Sequence, residues 1–299
     1  MKHMMYGIGG LVEGRIMAKT EIPIIMAADS TYLPYAAVSI CSMIDTKGPE
    51  SIYKIHVLHT GSELAGTEHL LSLARPDITI SLCNAEYLLA PYMNHLYSRA
   101  HFSKEMYFRW WIGELFPEYD KALYLDCDTV VCRDLAELYQ EDLQDAAVAG
   151  VVDFATPAVC HRISGQLGLS AKQYINSGVL LVNAAVWRSD HLAEACVSKL
   201  QRYDILACPD QDILNLICKD RILYLNGKWN VQWQHFWDEP DNCLQSPFRD
   251  MFFEAVQDPG IIHFTSPVKP WNHPMGPYTD LFWHYAAQLP FFRDISSSV

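Results

Sequence analysis

Short apolar runs alternate with segments of helical periodicity along most of this chain. The apolar runs end at polar or acidic positions, which is typical of buried strands that reach the edge of a sheet. Strands are predicted at residues 22–28, 52–59, 78–82, 122–125, 146–152 and 175–183, with later strands and their loops at 223–230 and 260–265. Helices are predicted at residues 33–43, 63–74, 103–115, 134–139, 187–203, 209–218 and 279–289. This alternation predicts an α/β fold, with a mostly parallel central sheet flanked by helices.

The sequence contains no internal repeat, low-complexity tract or convincing linker. We therefore predict one α/β domain at 21–275, preceded by a loosely ordered extension at 1–20 and followed by a small C-terminal helical appendage at 276–299. The apolar patch of the extension is interrupted by glycines and by Glu13, and no cleavage site of small residues follows it, so a secretory signal is not expected. No apolar run approaches the ~20 residues that cross a bilayer.

Charge and cysteine content limit the classes of function. The chain has 299 residues and a net charge of −13, which argues against nucleic acid as a partner because phosphate binding needs clustered Lys and Arg. Its nine cysteines form no C-x-x-C pair, and their number is odd. We therefore expect free thiols in a reducing compartment, which predicts a cytoplasmic protein. The C-terminal tail lacks the basic run that anionic lipid favours, so we expect at most peripheral contact with a membrane.

Two carboxylates form the first candidate chemical site. Asp126 and Asp128 follow the apolar run at 122–125 and are separated by one residue. In an extended backbone these two residues project to the same side, so both could bind one hard cation. The alternative is a solvated turn, which is common for this pattern. Their position beyond the end of a strand, where ligands collect in open α/β sheets, favours binding.

Five separated blocks of the sequence, taken in order, resemble glycosyltransferase family 8. The blocks lie at residues 26–32, 107–109, 124–128, 176–180 with 210–212, and 263 with 269–271. The family comprises retaining enzymes of the GT-A fold, among them bacterial lipopolysaccharide galactosyl- and glucosyltransferases and glycogenin. The resemblance implies a Rossmann-like nucleotide-binding half and an acceptor-binding half. It also implies UDP-glucose or UDP-galactose as the donor, a saccharide or glycolipid acceptor, a Mn²⁺ ion, and retention of the anomeric configuration.

The resemblance adds His263 to the acidic pair as a third metal ligand. A lone histidine at the end of an apolar strand is more often a core residue, so this interpretation rests on the block at 269–271 that follows it. Two carboxylates and one imidazole suit Mn²⁺ better than Mg²⁺, which is the alternative. The ion would bridge the diphosphate oxygens and act as a Lewis acid on the departing UDP, and Lys269 would add charge on the same phosphates.

The implied donor site draws on all five blocks. Its residues are Ala27, Ala28, Asp29, Tyr32, Arg109, Asp126, Cys127, Asn176, Ser177, Asp210, Gln211 and Lys269. Asp29 would accept the N3–H of uracil, although an ordinary turn aspartate is nearly as consistent with the sequence. Arg109 would lie against the donor, or would form a structural salt bridge with one of the aspartates, since a buried arginine is costly without a partner.

Catalytic roles are implied for Asp128, Asp210 and Gln211. Gln211 would lie on the face of the anomeric carbon opposite the leaving group. A glutamine is a poor nucleophile, however, and double displacement normally uses a carboxylate. We therefore expect front-face substitution through an ion-paired state, in which Gln211 or Asp210 stabilises positive charge. For Asp210 and Asp212 the alternative is helix N-terminal charge that complements the helix dipole.

Two parts of the implied site depart from the family or are less well defined. Ser266 stands where the family commonly has glycine, and the following Pro267 has no N–H to offer to a phosphate. The acceptor site would be built from the loops at 101–103, 154–161 and 229–237. The many aromatic residues in these loops are equally consistent with core packing.

Three alternatives to a transferase with a separate acceptor stay open. The first is a glycogenin-like protein that glucosylates its own tyrosine, which the residues at 210–215 favour less than the bacterial type. The second is a nucleotidyltransferase that makes sugar nucleotides, although such enzymes usually carry a glycine-rich basic loop where this chain has residues 29–32. The third is a non-catalytic protein that binds nucleotide sugars, which is disfavoured because each expected chemical group is present.

Overall fold

The computed structural model describes residues 19–61, 66–92, 96, 103–203, 205–236 and 244–291. Its strands are β1 Thr20–Ala27, β2 Ser51–His59, β3 Ile78–Asn84, β4 Ala122–Leu125, β5 Thr129–Val131, β6 Val148–Val152, β7 Ile175–Val182, β8 Ile222–Tyr224, β9 Val231–Gln232 and β10 Ile261–His263. Its helices are α1 Leu33–Thr46, α2 Thr67–Leu71, α3 Glu86–Leu89, α4 Ile112–Leu115, α5 Ala136–Tyr139, α6 Pro157–Arg162, α7 Ala184–Ser189, α8 Leu192–Leu200, α9 Pro209–Cys218, α10 Phe248–Ala255 and α11 Thr279–Ala286. Short 3-10 segments cover Ala90–Tyr92, Lys104–Trp110, Ala171–Gln173, Gly227–Asn230 and Trp233–Phe236, and a π-helical turn covers Ile163–Leu167.

Seven strands form the central sheet in the order β3-β2-β1-β4-β7-β6-β8. Strand pairs β1–β2, β2–β3, β1–β4 and β6–β8 are parallel, whereas β7 is antiparallel to both β4 and β6. The prediction of a mostly parallel sheet is therefore confirmed, with β7 as the reversed strand. Since Leu125 pairs with Val179, the first residues of β7 extend past the carboxyl end of β4. The reversal thus brings residues 176–178 beside the acidic pair.

A second, three-stranded sheet has the order β5-β10-β9. Strand β5 follows the acidic pair directly, and β10 runs antiparallel to it with His263 opposite Thr129. The amide of Phe264 also donates to the carbonyl of Asp128 over 2.8 Å. This small sheet therefore carries the predicted metal-binding histidine from late in the chain to the loop of the acidic pair.

The core lies on both faces of the central sheet. Strand β1 is a continuous apolar run because helices and loops cover it on each side, and Ile22, Ile24, Ile25 and Met26 are fully buried. Helix α1 begins with a proline in its first turn, where the missing N–H is not needed. Ten of its fourteen residues are buried, which makes it a core helix of the domain.

Helix α11 packs against α1. The hydroxyl of Tyr285 donates to Asp45 over 3.2 Å, and the ring of Phe282 lies 5.3 Å from that of Trp271. In the described part of the chain, no helix is both long and apolar enough to cross a membrane. The division into three segments stays a prediction, and residues 1–18 and 292–299 lie outside the described residues.

Two predicted helices are wrong in detail. The segment predicted as a helix at 103–115 is a 3-10 segment at Lys104–Trp110 followed by α4, and its bulky aromatic side chains, which are poor helix formers, fill the core instead. The helix predicted at 187–203 is two helices, α7 and α8, separated by His191 with φ 53. Helix α7 begins earlier than predicted because the side chain of Asn183 caps it by accepting the N–H of Val186.

Two further elements are shorter than the sequence indicates. Helix α2 covers only Thr67–Leu71 of the predicted 63–74, and residues 62–65 lie outside the described part. The late strand predicted within 223–230 is the three-residue β8, followed by a 3-10 turn at Gly227–Asn230. An asparagine cap on this turn, Asn226 accepting the N–H of Lys228, explains why the backbone leaves the extended conformation there.

Candidate active site

A cavity of about 1340 Å³ opens at the carboxyl ends of β1 and β4. Most of the predicted site residues line it, namely Ala27, Asp29, Tyr32, Arg109, Asp126, Cys127, Asp128, Asn176, Ser177, Asp210, Gln211, His263 and Lys269. Ala28 is instead buried in the hydrophobic core. The fold thus brings together residues that are far apart in the sequence, at the edge of the sheet where ligands of open α/β proteins collect.

The acidic pair and His263 meet at one wall of this cavity. Asp126 and Asp128 lie in the turn between β4 and β5, and β10 places His263 beside that turn. The Nε2 atom of His263 is 3.7 Å from Oδ2 of Asp126 and 3.3 Å from Oδ1 of Asp128. One ligand atom from each of the three residues lies within 4.8 Å of the other two. The three side chains are therefore close enough to share one ion.

These three side chains fit a divalent cation. Two carboxylates and one imidazole form the mixed donor set that suits Mn²⁺. The group is compact because residue 178 is glycine: a Cβ there would lie 2.6 Å from Oδ2 of Asp126 and 2.9 Å from Nδ1 of His263. The side chain of Asp126 is 26% exposed, so a ligand in the cavity can reach it.

Lys269 adds positive charge to this group. Its Nζ atom forms an ion pair with Asp128 and donates a hydrogen bond to the carbonyl of Phe264. Both Lys269 and Asp128 are buried. Burial acts to raise the pKa of Asp128, but the neighbouring Lys269 and His263 outweigh it and hold that pKa well below its usual range. Asp128 is therefore ionised, as metal binding requires.

Arg109 joins the acidic pair to α9. Its Nη2 atom is 2.9 Å from Oδ1 of Asp126, and its Nε atom is 3.1 Å from Oδ2 of Asp210. Its Nη1 atom donates to the carbonyl of Ser177 over 2.7 Å, and its guanidinium lies over the ring of Tyr124. Burial acts to lower the pKa of Arg109, but the two carboxylates raise it further than burial lowers it. The structural salt bridge, one of the two roles that the sequence analysis gave for Arg109, is therefore present. Arg109 also lines the cavity.

Gln211 is held at both ends of its amide. Its Oε1 atom accepts hydrogen bonds from the N–H and the hydroxyl of Ser177, over 2.9 and 3.3 Å. Its Nε2 atom donates to Oδ2 of Asp153 over 2.6 Å. Burial raises the pKa of Asp153 and of Asp210. The orientation of the Gln211 side chain is therefore determined by the chain itself, before any substrate binds.

Asp212 has a different environment from its neighbours. Its side chain is fully buried and accepts hydrogen bonds from Arg162 over 3.0 and 3.1 Å and from the hydroxyl of Tyr174 over 2.5 Å. The N–H of Cys208, just before α9, donates to it over 3.2 Å. Asp212 therefore stabilises the start of α9. This agrees with the alternative given for it in the sequence analysis, a structural charge at the N-terminus of a helix.

An aromatic group borders the opposite side of the acidic turn. Trp271 stacks on Tyr35 with ring centroids 3.6 Å apart and meets Tyr32 edge-on at 6.1 Å. Oδ1 of Asp29 accepts the N–H groups of Thr31 and Tyr32, both over 2.9 Å. The turn role of Asp29 is thus confirmed, and this turn fixes the position of Tyr32 at the cavity.

Two other predicted donor residues are held by hydrogen bonds. Oδ1 of Asn176 accepts the N–H of Gly178 over 3.0 Å and the amide of Asn230 over 2.9 Å. The thiol of Cys127 donates to the carbonyl of Ala27 over 3.1 Å. Burial raises the pKa of Cys127, so this side chain is a neutral thiol.

Sequence reasoning missed Asp153, and it included Asn230 only within the acceptor loop at 229–237, with no role of its own. Asp153 follows the apolar run of β6 as Asp126 follows that of β4, so the same signal, an acid at the end of a buried strand, would have found it. Asn230 is fully buried in the 3-10 turn before β9 and gave no signal in the sequence. Its importance depends on a contact with His263, 33 residues away.

The predicted acceptor loops are partly at the cavity. Residues 154 and 156–159 line it, as do Gln234 and His235. Trp229 and Trp233 are buried, so the core-packing alternative is confirmed for these two rings. Ser103 lines the cavity, whereas residues 101, 102 and 237 lie outside the described part.

Comparisons with known proteins agree with this site. The sequence model of Glycosyl transferase family 8 matches residues 23–274. General stress protein A of Bacillus subtilis is 26% identical over 282 residues, which is 90% of this chain and 94% of that protein. Lipopolysaccharide glucosyltransferase WaaO of Escherichia coli is 26% identical over 286 residues, which is 93% of this chain and 78% of that protein.

Solved structures give the same result for the fold. The galactosyltransferase LgtC, in complex with donor and acceptor sugar analogs, is 26% identical with a TM-score of 0.76, covering 92% of this chain and all of LgtC. The central sheet and its helices are thus those of the GT-A fold. From the matching family model and the residues at its cavity, this chain belongs to glycosyltransferase family 8.

Proposed function

We propose that this protein is a metal-dependent retaining glycosyltransferase that moves a hexose, glucose or galactose, from a UDP-sugar to a glycan or glycolipid. The observation that carries the proposal is the convergence of Asp126, Asp128 and His263 beside two buried cations, Arg109 and Lys269. In a protein with a net charge of −13, a metal ion together with these two cations would offset the nearby carboxylates and so allow a diphosphate to bind. Relatives named as lipopolysaccharide glucosyltransferase support a hexose and a glycolipid acceptor.

The metal part of the proposal concerns three side chains. Asp126, Asp128 and His263 would hold Mn²⁺, with Mg²⁺ as the alternative. When bound, the ion would supply Lewis acidity at the leaving diphosphate. Lys269 lies against Asp128, so its ammonium can provide a further positive charge for the same phosphates. Arg109 pairs with both Asp126 and Asp210, so its charge reduces the repulsion that these carboxylates would exert on an anionic donor.

The nucleoside part would lie on the other side of the acidic turn. Tyr32 and Trp271 line the cavity there, and their rings offer apolar surface to a base. Asp29 fixes the turn that presents Tyr32 through one carboxylate oxygen, Oδ1. A role for Asp29 in accepting the uracil N3–H would use its other oxygen.

The arrangement around Gln211 supports front-face substitution. Its amide oxygen accepts the N–H of Ser177, and the Ser177 hydroxyl, which has one proton to donate either to this oxygen or to Asp210, lies 3.3 Å away, so this oxygen is a poor candidate for attack on carbon. Gln211 would instead stabilise and orient the sugar while the acceptor hydroxyl attacks the anomeric carbon on the face that UDP leaves, and its proton would pass to an oxygen of the departing UDP. Asp210, which the hydroxyl of Ser177 also contacts, would help to stabilise the positive charge that develops on the sugar.

The acceptor would enter where residues 154–159, Gln234 and His235 line the cavity. Asp153 lies between this part of the cavity and Gln211. A cytoplasmic location, with peripheral contact at the inner face of the membrane, goes with a glycolipid acceptor and with the cysteine pattern of the sequence.

The proposal is tested by donor turnover. The purified protein is incubated with UDP-glucose, UDP-galactose, UDP-N-acetylglucosamine or GDP-mannose, with Mn²⁺ or with a chelator, and free nucleotide is measured. We expect hydrolysis or transfer only with a UDP-hexose and Mn²⁺, and an α-configured product by NMR. Asp258→Asn, at an exposed ion pair with Arg133, is the matched control and should behave as the wild type. Equal turnover with the chelator would contradict the metal part, and turnover of GDP-mannose alone would contradict the donor.

A further inference from the structure

The imidazole of His263 is held from behind by a chain of two buried asparagines. Its Nδ1 atom is 3.1 Å from Oδ1 of Asn230, and Nδ2 of Asn230 is 2.9 Å from Oδ1 of Asn176. Asn230 is fully buried, and His263 and Asn176 are 4% and 8% exposed. This chain of contacts lies on the side of the imidazole away from the acidic pair, and none of the predicted roles above uses Asn230.

A backbone N–H determines the direction of every hydrogen bond in this chain. The N–H of Gly178 can only donate, and it donates to Asn176 over 3.0 Å, so the atom of Asn176 that it meets must be the acceptor oxygen. The atom of Asn230 that meets the same oxygen must then be its NH₂ group. The other end of the Asn230 amide is therefore an oxygen, and it faces Nδ1 of His263.

The tautomer of His263 follows from this order. An amide oxygen only accepts, so Nδ1 must carry the proton that it donates to Asn230. In the neutral imidazole Nε2 is then unprotonated, and this is the nitrogen that lies 3.3 Å from Asp128 and 3.7 Å from Asp126. The lone pair of Nε2 thus points at the place where the two carboxylates converge. With the opposite tautomer, an N–H would occupy that place and no metal ligand would be available.

We propose that Asn230 is a positioning residue for His263, which selects the Nδ1–H tautomer and fixes the plane of the ring, with Asn176 as the anchor of the chain. The inference rests on the proposed role of His263 as a metal ligand. Outer hydrogen-bond partners of ligating histidines typically contribute about 10- to 100-fold in metal affinity. Asn176 lines the cavity with an amide whose oxygen is occupied, so its NH₂ group is the part that can donate to a sugar. The chain thereby connects the donor pocket with the metal site.

The test is Mn²⁺ affinity, measured in the presence of saturating UDP by EPR of the free ion, which does not depend on turnover. Asn230→Leu removes the acceptor and keeps the branching of the side chain, and we expect its affinity to fall about 10- to 100-fold. Asn226→Leu removes the exposed cap of the same 3-10 turn without touching His263, and we expect unchanged affinity.

His263→Ala separates the two possible failures. If His263→Ala binds Mn²⁺ as the wild type does, the metal assignment of the proposed function fails. If His263→Ala is weak but Asn230→Leu is normal, the positioning role of Asn230 is wrong and the metal site stands.

A second measurement does not depend on whether the Asn230→Leu variant folds. The ¹⁵N spectrum of imidazole nitrogens is recorded on metal-free protein, at a pH high enough that the signals no longer change, and His263→Ala identifies the signal of interest. We expect the proton of His263 on Nδ1. A proton on Nε2 would overturn the inference even if the Asn230→Leu variant failed to fold.

Discussion

Asp210 and Asp212 are separated by one residue in the first turn of α9, yet they belong to two ion-pair clusters that differ in how far their carboxylates are exposed to the cavity. The first, here the open cluster, consists of Arg109, Asp126 and Asp210 and lines the cavity. The second, the closed cluster, consists of Arg162, Asp212 and Tyr174, of which only Arg162 lines the cavity. The side chain of Asp126 is 26% exposed, whereas that of Asp212 is 0% exposed.

The two clusters differ in how much of the hydrogen-bond acceptor capacity of each carboxylate is already used. Both oxygens of Asp212 are used by Arg162, and Tyr174 and the N–H of Cys208 add one hydrogen bond each. In Asp126, Oδ1 accepts from Arg109 and Tyr124, while Oδ2 faces Nε2 of His263. One oxygen of Asp126 is thus structural, and the other faces the proposed metal site. The comparison teaches that the same residue types stabilise the fold or bind a ligand according to the acceptor capacity that the fold leaves unused.

Loss of metal binding should have the largest effect. Asp128→Asn removes a ligand charge from the proposed metal site at constant size, and we expect donor turnover to fall by at least about 100-fold. Circular dichroism should show an intact fold, with a clear decrease in Tm because the buried Lys269 loses its ionic partner. Full turnover in this variant would mean that Asp128 contributes only to folding, as Asp212 does.

Gln211→Ala should have the next largest effect, and on rate more than on binding. The amide is held by Ser177 and Asp153 at the cavity wall, so its removal should lower kcat about 100-fold while the Kd of UDP changes less than about 3-fold. Steady-state kinetics and calorimetric titration with UDP measure the two quantities. An unchanged kcat would remove Gln211 from the chemistry.

In the closed cluster the effect should be on stability. Asp212→Asn leaves Arg162 without its carboxylate, and we expect the free energy of unfolding to fall by about 2–3 kcal/mol. Turnover per folded molecule should stay within about 3-fold of the wild type, which denaturant unfolding and activity on the same samples can show. A large loss of turnover at unchanged stability would place Asp212 among the residues that act on substrate.

Asp153→Asn should have the smallest effect, and it should raise the free energy of unfolding rather than lower it. Burial raises the pKa of Asp153, so the native state holds this proton more tightly than the unfolded chain does, and wild-type stability decreases as the pH rises above the ordinary aspartate value. Asparagine keeps an acceptor for Gln211 without the charge. The variant should therefore be more stable than the wild type at pH 7, and this gain should disappear as the pH falls towards the unfolded-state pKa, about 4. A less stable variant at pH 7 would show that the charge of Asp153 stabilises the fold.

The sequence predicted the strands of the central sheet well because a buried parallel strand is a continuous apolar run. The end of one such run also indicated that Asp126 and Asp128 lie at the edge of the sheet, where the cavity opens. Prediction from the sequence failed where local signals are weak. The 3-10 segment at Lys104–Trp110 has helical spacing but aromatic bulk, and the separation of α7 from α8 depends on a positive φ at His191.

The partners within the site were less accessible to sequence reasoning. That Arg109 binds Asp126 and Asp210 at once, or that Asn230 contacts His263, depends on how β7 and β10 are placed across the sheet edge. These contacts join residues 17 to 101 positions apart and carry no periodic signal. Only the resemblance between the five blocks and a known family indicated that the residues share one site.

The central claim is that Asp126, Asp128 and His263 bind one divalent ion together with a uridine diphosphate. A crystal structure with UDP and Mn²⁺, recorded at the manganese absorption edge, tests it most directly. The account predicts one anomalous peak between the two carboxylates and Nε2 of His263, in contact with the diphosphate. An ion elsewhere in the cavity, or UDP bound with no peak at these three side chains, would contradict it.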